Sequence, residues 1–210
     1  MFDTGADGDA LLSNMAALKI DPQAIEAVVL SHNHADHTDG LQALLATGVR
    51  PDVYLIPAFS ASFRRQVARV TNVIEAASGQ VITEGIFTTG EIDGSPSEQA
   101  IAIETDHGFV IVTGCAHPGI TRIIEHIKAT ADDPVYLVLG GFHLKDKTHA
   151  EIATIVQAFR RLGVAYVGPC HCTGAPAIAV FAEAYGEGFI QIGTGKIIEI
   201  SVRAESPLGN

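Results

Sequence analysis

Short apolar runs alternate with amphipathic stretches along most of the chain. Residues 28–30 and 53–56 are continuous apolar runs, a pattern typical of strands buried in a sheet. Residues 101–105 and 109–113 flank a turn sequence at 106–108, which predicts a hairpin. This alternation of strands with helical patterns predicts an α/β fold.

The C-terminal half shows the same alternation of strands and helices. A strand is predicted at 135–139, and Thr148 with Glu151 forms a capping-box sequence at the start of a helix that ends near Gly163. We expect a strand at 164–167, a loop at 168–174 and a helix to about Tyr185. Residues 189–192 and 196–200 predict a closing hairpin.

Composition and charge narrow the class of protein. Apolar residues make up 47% and charged residues 18% of 210 positions, which favours a folded chain that we expect to form one domain, 1–210. A net charge of −11 disfavours nucleic acid as a partner. We therefore expect a small-molecule substrate. No apolar run is long enough to cross a membrane, and three cysteines do not suggest a disulfide framework, so a cytoplasmic location is expected.

Most histidines follow the predicted strands. Six of the nine come directly after an apolar run, which predicts one convergent site because the ends of parallel strands meet at one edge of a sheet. They are His32, His34, His37, His117, His143 and His171. His107, His126 and His149 fall in a turn or in helical patterns, where surface positions are expected.

The segment Ser31-His32-Asn33-His34-Ala35-Asp36-His37 carries the strongest chemical signal. Three imidazoles and one carboxylate within six residues match the ligands of zinc and similar metals. In an irregular loop, residues two apart can face one metal while Asp36 and His37 face a second. A solvated polar loop is the alternative interpretation.

This segment resembles the first metal motif of the metallo-β-lactamase superfamily, His-x-His-x-Asp-His. The stretches 2–5 (FDTG), 113–119 (TGCAHPG), 140–144 (GGFHL) and 169–174 (PCHCTG) resemble the branch of the dihydropterin ribofuranosylaminobenzene phosphate synthases. The resemblance implies an αββα sandwich that lacks the usual N-terminal strands, and it extends over nearly the whole chain. It is specific for fold and branch, and weak for the substrate.

The resemblance also implies two divalent metal ions, with zinc preferred and manganese or iron as alternatives. It assigns His32, His34 and His117 to one metal and Asp36, His37 and His171 to the other. A capping or core role for His117 stays open. Asp36 and His143 are the residues expected to be catalytic, and Asp3 is expected to support the metal loop.

Two positions leave alternatives. Most members of the superfamily have a bridging aspartate where this chain has Cys115, which is either a thiolate ligand or a buried bystander. His143 is a ligand, a general acid, a donor to a substrate phosphate or a residue that orients a ligand. Cys170 and Cys172 flank His171, and packing roles are favoured for both. Glu98 and Gln99 resemble a pair in the branch without an assigned chemistry.

The function implied is a metal-dependent hydrolase that uses a metal-bound hydroxide, on a phosphodiester or an activated phosphotriester. A lactonase or β-lactam hydrolase would use the same dinuclear site and is the alternative. A non-hydrolytic metal-binding protein is a third possibility. A redox di-iron site would require a glutamate at the position of His34.

Relatives of this branch carry strands before the FDTG segment, whereas this sequence starts with that segment. Without those strands a sheet edge and apolar surface should lie open, and open edges recruit other chains. We therefore expect a homo-oligomer, most simply a two-fold dimer. The alternative is that the predicted hairpin at 189–200 folds back over the gap.

Overall fold

Two β-sheets lie at the centre of the computed structural model, which describes residues 1–130 and 133–201. In chain order their strands are β1 (Ala27–Val29), β2 (Asp52–Leu55), β3 (Val73–Glu75), β4 (Val81–Thr83), β5 (Ile86–Thr88), β6 (Ile101–Thr105), β7 (Gly108–Thr113), β8 (Val135–Gly141) and β9 (Tyr166–Cys170). The α-helices are α1 (Gly8–Ala17), α2 (Ala35–Thr38), α3 (Leu41–Ala46), α4 (Ala61–Ala68), α5 (Ile120–Lys128), α6 (His149–Arg161) and α7 (Ala175–Tyr185).

The first sheet contains β1, β2 and β3, all parallel. The first residues of the chain lie along β1: Val29 N donates to Met1 O and Asp3 N donates to Val29 O, both at 2.9 Å. This pairing brings Asp3 to the end of β1, where the histidine-rich segment begins.

The second sheet has the order β4-β5-β6-β7-β8-β9. Strands β4 to β7 are antiparallel, and the hairpin predicted from residues 101–113 is confirmed as β6 and β7. Strands β7, β8 and β9 are parallel, with Thr113 opposite Gly140 and Gly141 opposite Cys170. The segments after these three strands therefore emerge side by side at one edge.

The helices and the two sheets pack in layers around two apolar cores. In one, helices α5, α6 and α7 pack on the second sheet around Ile123, Phe142 and Phe159. In the other, α1, α3 and α4 pack with the first sheet, and Ile101 of the second sheet joins the same core. The α/β sandwich predicted from the sequence is confirmed.

Local signals in the sequence predicted both ends of α6 and the end of α7. The Thr148 hydroxyl accepts the Glu151 N–H, and the Glu151 carboxylate accepts the Thr148 N–H, so the predicted capping box is present at the start of α6. Among the described residues no helix is long and apolar enough to cross a membrane.

The predicted C-terminal hairpin is wrong. Residues 189–201 contain no strand; Phe189 makes one bridge to Val167, and Ile198 and Ile200 line a cavity with apolar residues of β6, β7 and β8. A Cβ on Gly168 would stand only 2.9 Å from Cγ1 of Ile192, so the Ile192 side chain packs directly against Gly168. The segment packs its side chains on the sheet face instead of pairing its own backbone.

The strand predicted at 164–167 is displaced. β9 begins at Tyr166 and continues through Gly168 and Pro169 to Cys170, residues that the sequence had placed in a loop. Parallel pairing with β8 carries the strand through this segment, and a strand at the edge of a sheet tolerates proline.

Candidate metal centre

The segment from Ser31 to His37 turns at the end of β1 and leads into α2. Asp3 fixes its start, because its carboxylate accepts the Ser31 N–H at 2.7 Å and the Ser31 hydroxyl at 2.8 Å. Gly114 lies against the same point: a Cβ there would stand 2.2 Å from Ser31 Oγ. The end of β1 and the end of β7 are thus packed too closely for any side chain at position 114.

One group of predicted ligands contains His32, His34 and His117. His32 is fully buried, and its Nε2 lies 2.9 Å from His34 Nδ1. The ring of His117 lies 4.7 Å from that of His32 and 5.0 Å from that of His34, measured between centroids. These three imidazoles come together as the sequence predicted.

A second group contains Asp36, His37 and His171. Asp36 Oδ2 lies 3.5 Å from His37 Nε2 and 3.4 Å from His171 Nε2. Asp36 and His171 are exposed, while His37 is buried, so this group opens to solvent on one side. The structure brings together all six residues that the sequence predicted as metal ligands.

Cys115 lies close to both groups. Its Sγ is 3.3 Å from His37 Nε2, and the residue is only 4% exposed. Ligand atoms of Asp36, His37, Cys115 and His171 all lie within 4.8 Å of one another, as do those of His32, Cys115 and His117.

His143 lies at the margin of this centre. Its exposed ring is 4.3 Å from the ring of His117, between centroids. His143, Cys115 and Cys172 form a further group whose ligand atoms lie within 4.8 Å of one another. The hydrogen bond between Cys115 and Cys172 raises the pKa of the Cys115 thiol and lowers that of Cys172 to about 5.

Asp3 supports the centre from behind, as expected. Its Oδ2 lies 2.6 Å from His37 Nδ1. The other ring nitrogen of His37, Nε2, lies near Asp36 and Cys115. Burial lowers the pKa of His37, but the hydrogen bond with Asp3 and its charge outweigh burial and raise it.

Sequence reasoning did not find the role of Glu98. Its buried carboxylate accepts the backbone N–H groups of Cys115, Ala116 and His117, at 2.8, 2.9 and 2.8 Å. Burial raises the pKa of Glu98, while these three hydrogen bonds oppose that shift. Glu98 therefore holds the segment that carries two of the candidate ligands.

The neighbouring Gln99 joins the two sheets. Its side-chain amide donates to Leu30 O at 2.8 Å and to Tyr54 O at 3.1 Å, and its carbonyl accepts the Thr88 hydroxyl. The only sequence signal for both residues was their resemblance to a pair in the branch. Nothing in hydrophobic periodicity marks them.

The electrostatics of the first group favour metal ligation. Burial, with the charges of neighbouring histidines, lowers the pKa of His32 to about 2. Burial and the charge of His143 lower the pKa of His117 to about 4. Both imidazoles are therefore neutral near pH 7, the form that binds metals.

Several residues around the centre have left-handed backbone conformations without being glycine. They are Asp3 (φ 52°), Ala116 (φ 61°), His143 (φ 51°) and His171 (φ 46°). Such conformations cost free energy for residues with a Cβ and tend to occur where structure around them fixes the geometry.

Divalent metal ions fit this arrangement. His117 Nε2 is buried and has no hydrogen-bond partner among the described residues. A buried ring nitrogen without a partner is costly, and a bond to a metal would satisfy it. The nitrogen, oxygen and sulfur donors around it are those that zinc and neighbouring transition metals prefer.

The remaining histidines lie elsewhere, as predicted. His126 Nε2 is 3.3 Å from Ser78 Oγ, His107 contacts the ring of Tyr136, and His149 is exposed at the start of α6. None of the three belongs to the candidate metal groups found in 1–130 and 133–201.

Comparisons with known proteins identify relatives of this chain. A family model described as the β-lactamase superfamily domain matches residues 1–172. The chain is 31% identical to the 7,8-dihydropterin-6-methyl-4-(β-D-ribofuranosyl)-aminobenzene-5′-phosphate synthase of Methanocaldococcus jannaschii, over 95% of this chain and 83% of that protein. An uncharacterised protein of the same organism is 24% identical over 95% of this chain and 88% of its own length.

Solved structures agree. Tm1679, described as a metal-dependent hydrolase of the β-lactamase superfamily, superposes with a TM-score of 0.82 and 28% identity, over 95% of this chain and 88% of that one. A diphosphatase from the PhnP family shares the fold, with a TM-score of 0.61 and 15% identity over 96% of this chain and 81% of that one. The chain belongs to the metallo-β-lactamase superfamily, in the branch that includes the dihydropterin ribofuranosylaminobenzene phosphate synthase.

Proposed function

We propose that the chain is a metal-dependent hydrolase that acts on a small phosphoester, through two metal ions held by the six predicted ligands. The observation that carries this proposal is the convergence of two donor groups at one end of the sandwich. His32, His34 and His117 would hold one ion. Asp36, His37 and His171 would hold the other.

When bound, the metal ions would make water a nucleophile near neutral pH and offset the negative charge that develops on the attacked group. Burial keeps the pKa values of His32 and His117 low, so that both remain neutral and do not repel the cations. Asp3 would orient His37 through the contact at Nδ1.

His143 is the residue proposed to act on the leaving group. In hydrolysis the oxygen of water forms a bond to phosphorus, the bond to the leaving oxygen breaks, and that oxygen takes up a proton. The ring of His143 is exposed beside His117, one of the proposed metal ligands, and an imidazolium there would donate this proton.

The size of the neighbouring cavity supports a small substrate. A cavity of about 570 Å³ lies beside Asp36, His37 and His171 and continues between α1 and the ends of β7 and β8. Sites for small molecules commonly have volumes of this order. The phosphoester class is supported by the 31% identical relative, whose name describes a 5′-phosphate compound.

The test combines metal analysis with a substrate panel. Protein reconstituted with zinc, manganese or iron should hold close to two ions per chain and hydrolyse bis(p-nitrophenyl) phosphate faster than a lactone or nitrocefin. His32→Asn and Asp36→Asn should abolish hydrolysis, whereas His149→Asn, a matched exposed histidine, should not. Full activity after exhaustive chelation would contradict the proposal. Faster turnover of the lactone than of the phosphodiester would indicate that the attacked atom is an acyl carbon and not phosphorus.

A synthase-type reaction is the second candidate, because the same 31% identical relative is named a synthase. Incubation with a phosphorylated ribofuranosyl-aminobenzene compound, with and without a dihydropterin, separates the two. Release of inorganic phosphate or of an alcohol without the pterin supports hydrolysis. A product that forms only when both compounds are present supports the synthase.

A further inference from the structure

Among the residues that the structure describes, Cys115 occupies a position that no other candidate metal donor shares. Within 1–130 and 133–201, three groups of side chains are arranged to hold a metal ion, and Cys115 belongs to all three. The residue is buried at the end of β7, and its Sγ lies within 4.8 Å of the ligand atoms of Asp36 and His37 in one group and of His32 and His117 in another. A single atom, its Sγ, therefore lies close to both sets of proposed ligands.

Distances agree with direct ligation. Two ligands of a tetrahedral zinc ion, one at about 2.3 Å through sulfur and one at about 2.1 Å through nitrogen, stand about 3.5 Å apart. Cys115 Sγ lies 3.3 Å from His37 Nε2. A hydrogen bond between a thiol and an imidazole would give a similar separation, so charge and position must decide between the two.

The positive charge of two bound metal ions would favour a thiolate at Cys115. His32, His34 and His117 are neutral donors, and without Cys115 their group would hold a divalent cation with no negative ligand. The second group has one carboxylate, that of Asp36. Burying a cation without an anionic partner is costly, and one thiolate shared between the groups would reduce the excess positive charge at both.

The backbone holds the sulfur in this position. Glu98 accepts the Cys115 N–H, and Gly114, the preceding residue, is packed against Ser31. Ala116 follows in a left-handed conformation stabilised by the same carboxylate. A ligand with so little freedom loses little entropy when it binds a metal.

We propose that Cys115 is a thiolate ligand shared by both metal ions. This inference rests on the dinuclear centre proposed above. The soft sulfur would favour zinc, cobalt(II) or iron(II) over magnesium and manganese at this centre. Metal binding would also remove the proton of the Cys115 thiol.

The test reads the metal–sulfur bond itself. Zinc K-edge X-ray absorption of the fully loaded protein should show sulfur at about 2.3 Å with an average of about one sulfur per zinc, since one bridging atom is counted by both ions. A terminal thiolate on one ion would give half that number. The cobalt(II) form should show a near-ultraviolet thiolate-to-cobalt absorption band.

Variants of the three cysteines show which one provides the sulfur ligand. Cys115→Ser should lose this band and about one metal ion, while Cys115→Asp should lose the band and keep two ions. Cys170→Ser, a matched cysteine outside the three groups, and Cys172→Ser should both keep the band. If Cys115→Ser does not fold, the X-ray spectrum of the unchanged protein and the Asp variant still decide.

Three results would overturn the inference. Two zinc ions without sulfur scattering would make Cys115 a packing residue and leave the hydrolase proposal intact. A band that survives in Cys115→Asp and disappears in Cys172→Ser would move the thiolate to Cys172. An average of half a sulfur per zinc would reject the bridge. Failure to bind any metal would refute the proposed function itself.

Discussion

The Glu98 carboxylate holds the backbone of His117, whose N–H it accepts at 2.8 Å through Oε2. Its other oxygen accepts the N–H groups of Cys115 and Ala116. One buried side chain thus satisfies three successive backbone donors. This arrangement makes Glu98 a positioning residue for the candidate metal centre.

Glu98→Gln should destabilise the protein and weaken metal binding. An amide nitrogen in place of one oxygen would face a backbone N–H, leaving a buried donor unsatisfied at a cost of about 2 kcal/mol or more. Urea unfolding of the metal-free protein measures the first effect and chelator competition the second. Glu125→Gln, on the exposed side of α5, serves as the control, and equal unfolding midpoints for the two variants would contradict the role.

Asp3→Asn should lower metal affinity about 10- to 100-fold, the usual effect of removing a carboxylate that orients a ligating histidine. The amide would donate to His37 Nδ1, which would place the ring proton on Nε2, the nitrogen that faces Asp36. Competition with a chromophoric chelator measures the change. Asp9→Asn, an exposed aspartate of α1, should bind metal like the unchanged protein. Equal affinity for the Asp3 variant would remove Asp3 from the centre.

His143→Ala should keep two metal ions and lower kcat by about 100-fold or more, as expected for loss of a general acid. The loss should be greatest for phosphoesters with poor leaving groups, because those need the proton most. Kinetics across a series of substituted phenyl esters test this, with His149→Ala as the control. A uniform loss across the series, or a loss of metal, would assign His143 to binding instead.

Stability of the metal-free protein should depend on pH through His117. The folded-state pKa of this histidine lies near 4, below the ordinary 6.5, because burial and the charge of His143 disfavour the imidazolium. Its contribution to stability is therefore complete above pH 6.5 and is lost as the pH falls toward 4. Between pH 7 and 5 the loss should amount to about 1–2 kcal/mol.

The variant His117→Asn isolates that contribution. Because it lacks the ring, its free energy of unfolding should fall less over the same pH range, and the two curves should converge in acid. Urea titrations in the presence of a chelator give both curves. Parallel curves would mean that His117 titrates normally in the folded protein.

The sequence predicted the parts of the site that follow from local order. His32, His34, Asp36 and His37 lie in one short segment that leads into α2, so their proximity is encoded within six residues. His143 and His171 could be added because each follows a strand, and parallel neighbouring strands end at the same edge.

What the sequence did not reveal depends on long-range contacts. Glu98 acts through backbone groups 17 to 19 residues away, and Gln99 reaches Leu30, 69 residues away. Backbone acceptors and donors leave no mark on side-chain periodicity. The hairpin predicted after Phe189 was wrong for the same kind of reason: side-chain packing onto Gly168 outweighed local pairing.

The left-handed residues Asp3, Ala116, His143 and His171 have a consequence for how this chain would respond to laboratory evolution. Each costs about 1 kcal/mol or more in the folded state, and glycine would relieve that cost. A population selected for heat tolerance alone should therefore accumulate glycine at Ala116, and would gain stability while the segment before α5 loosens. Selection for turnover should restore alanine, so the two kinds of selection should favour different residues at position 116.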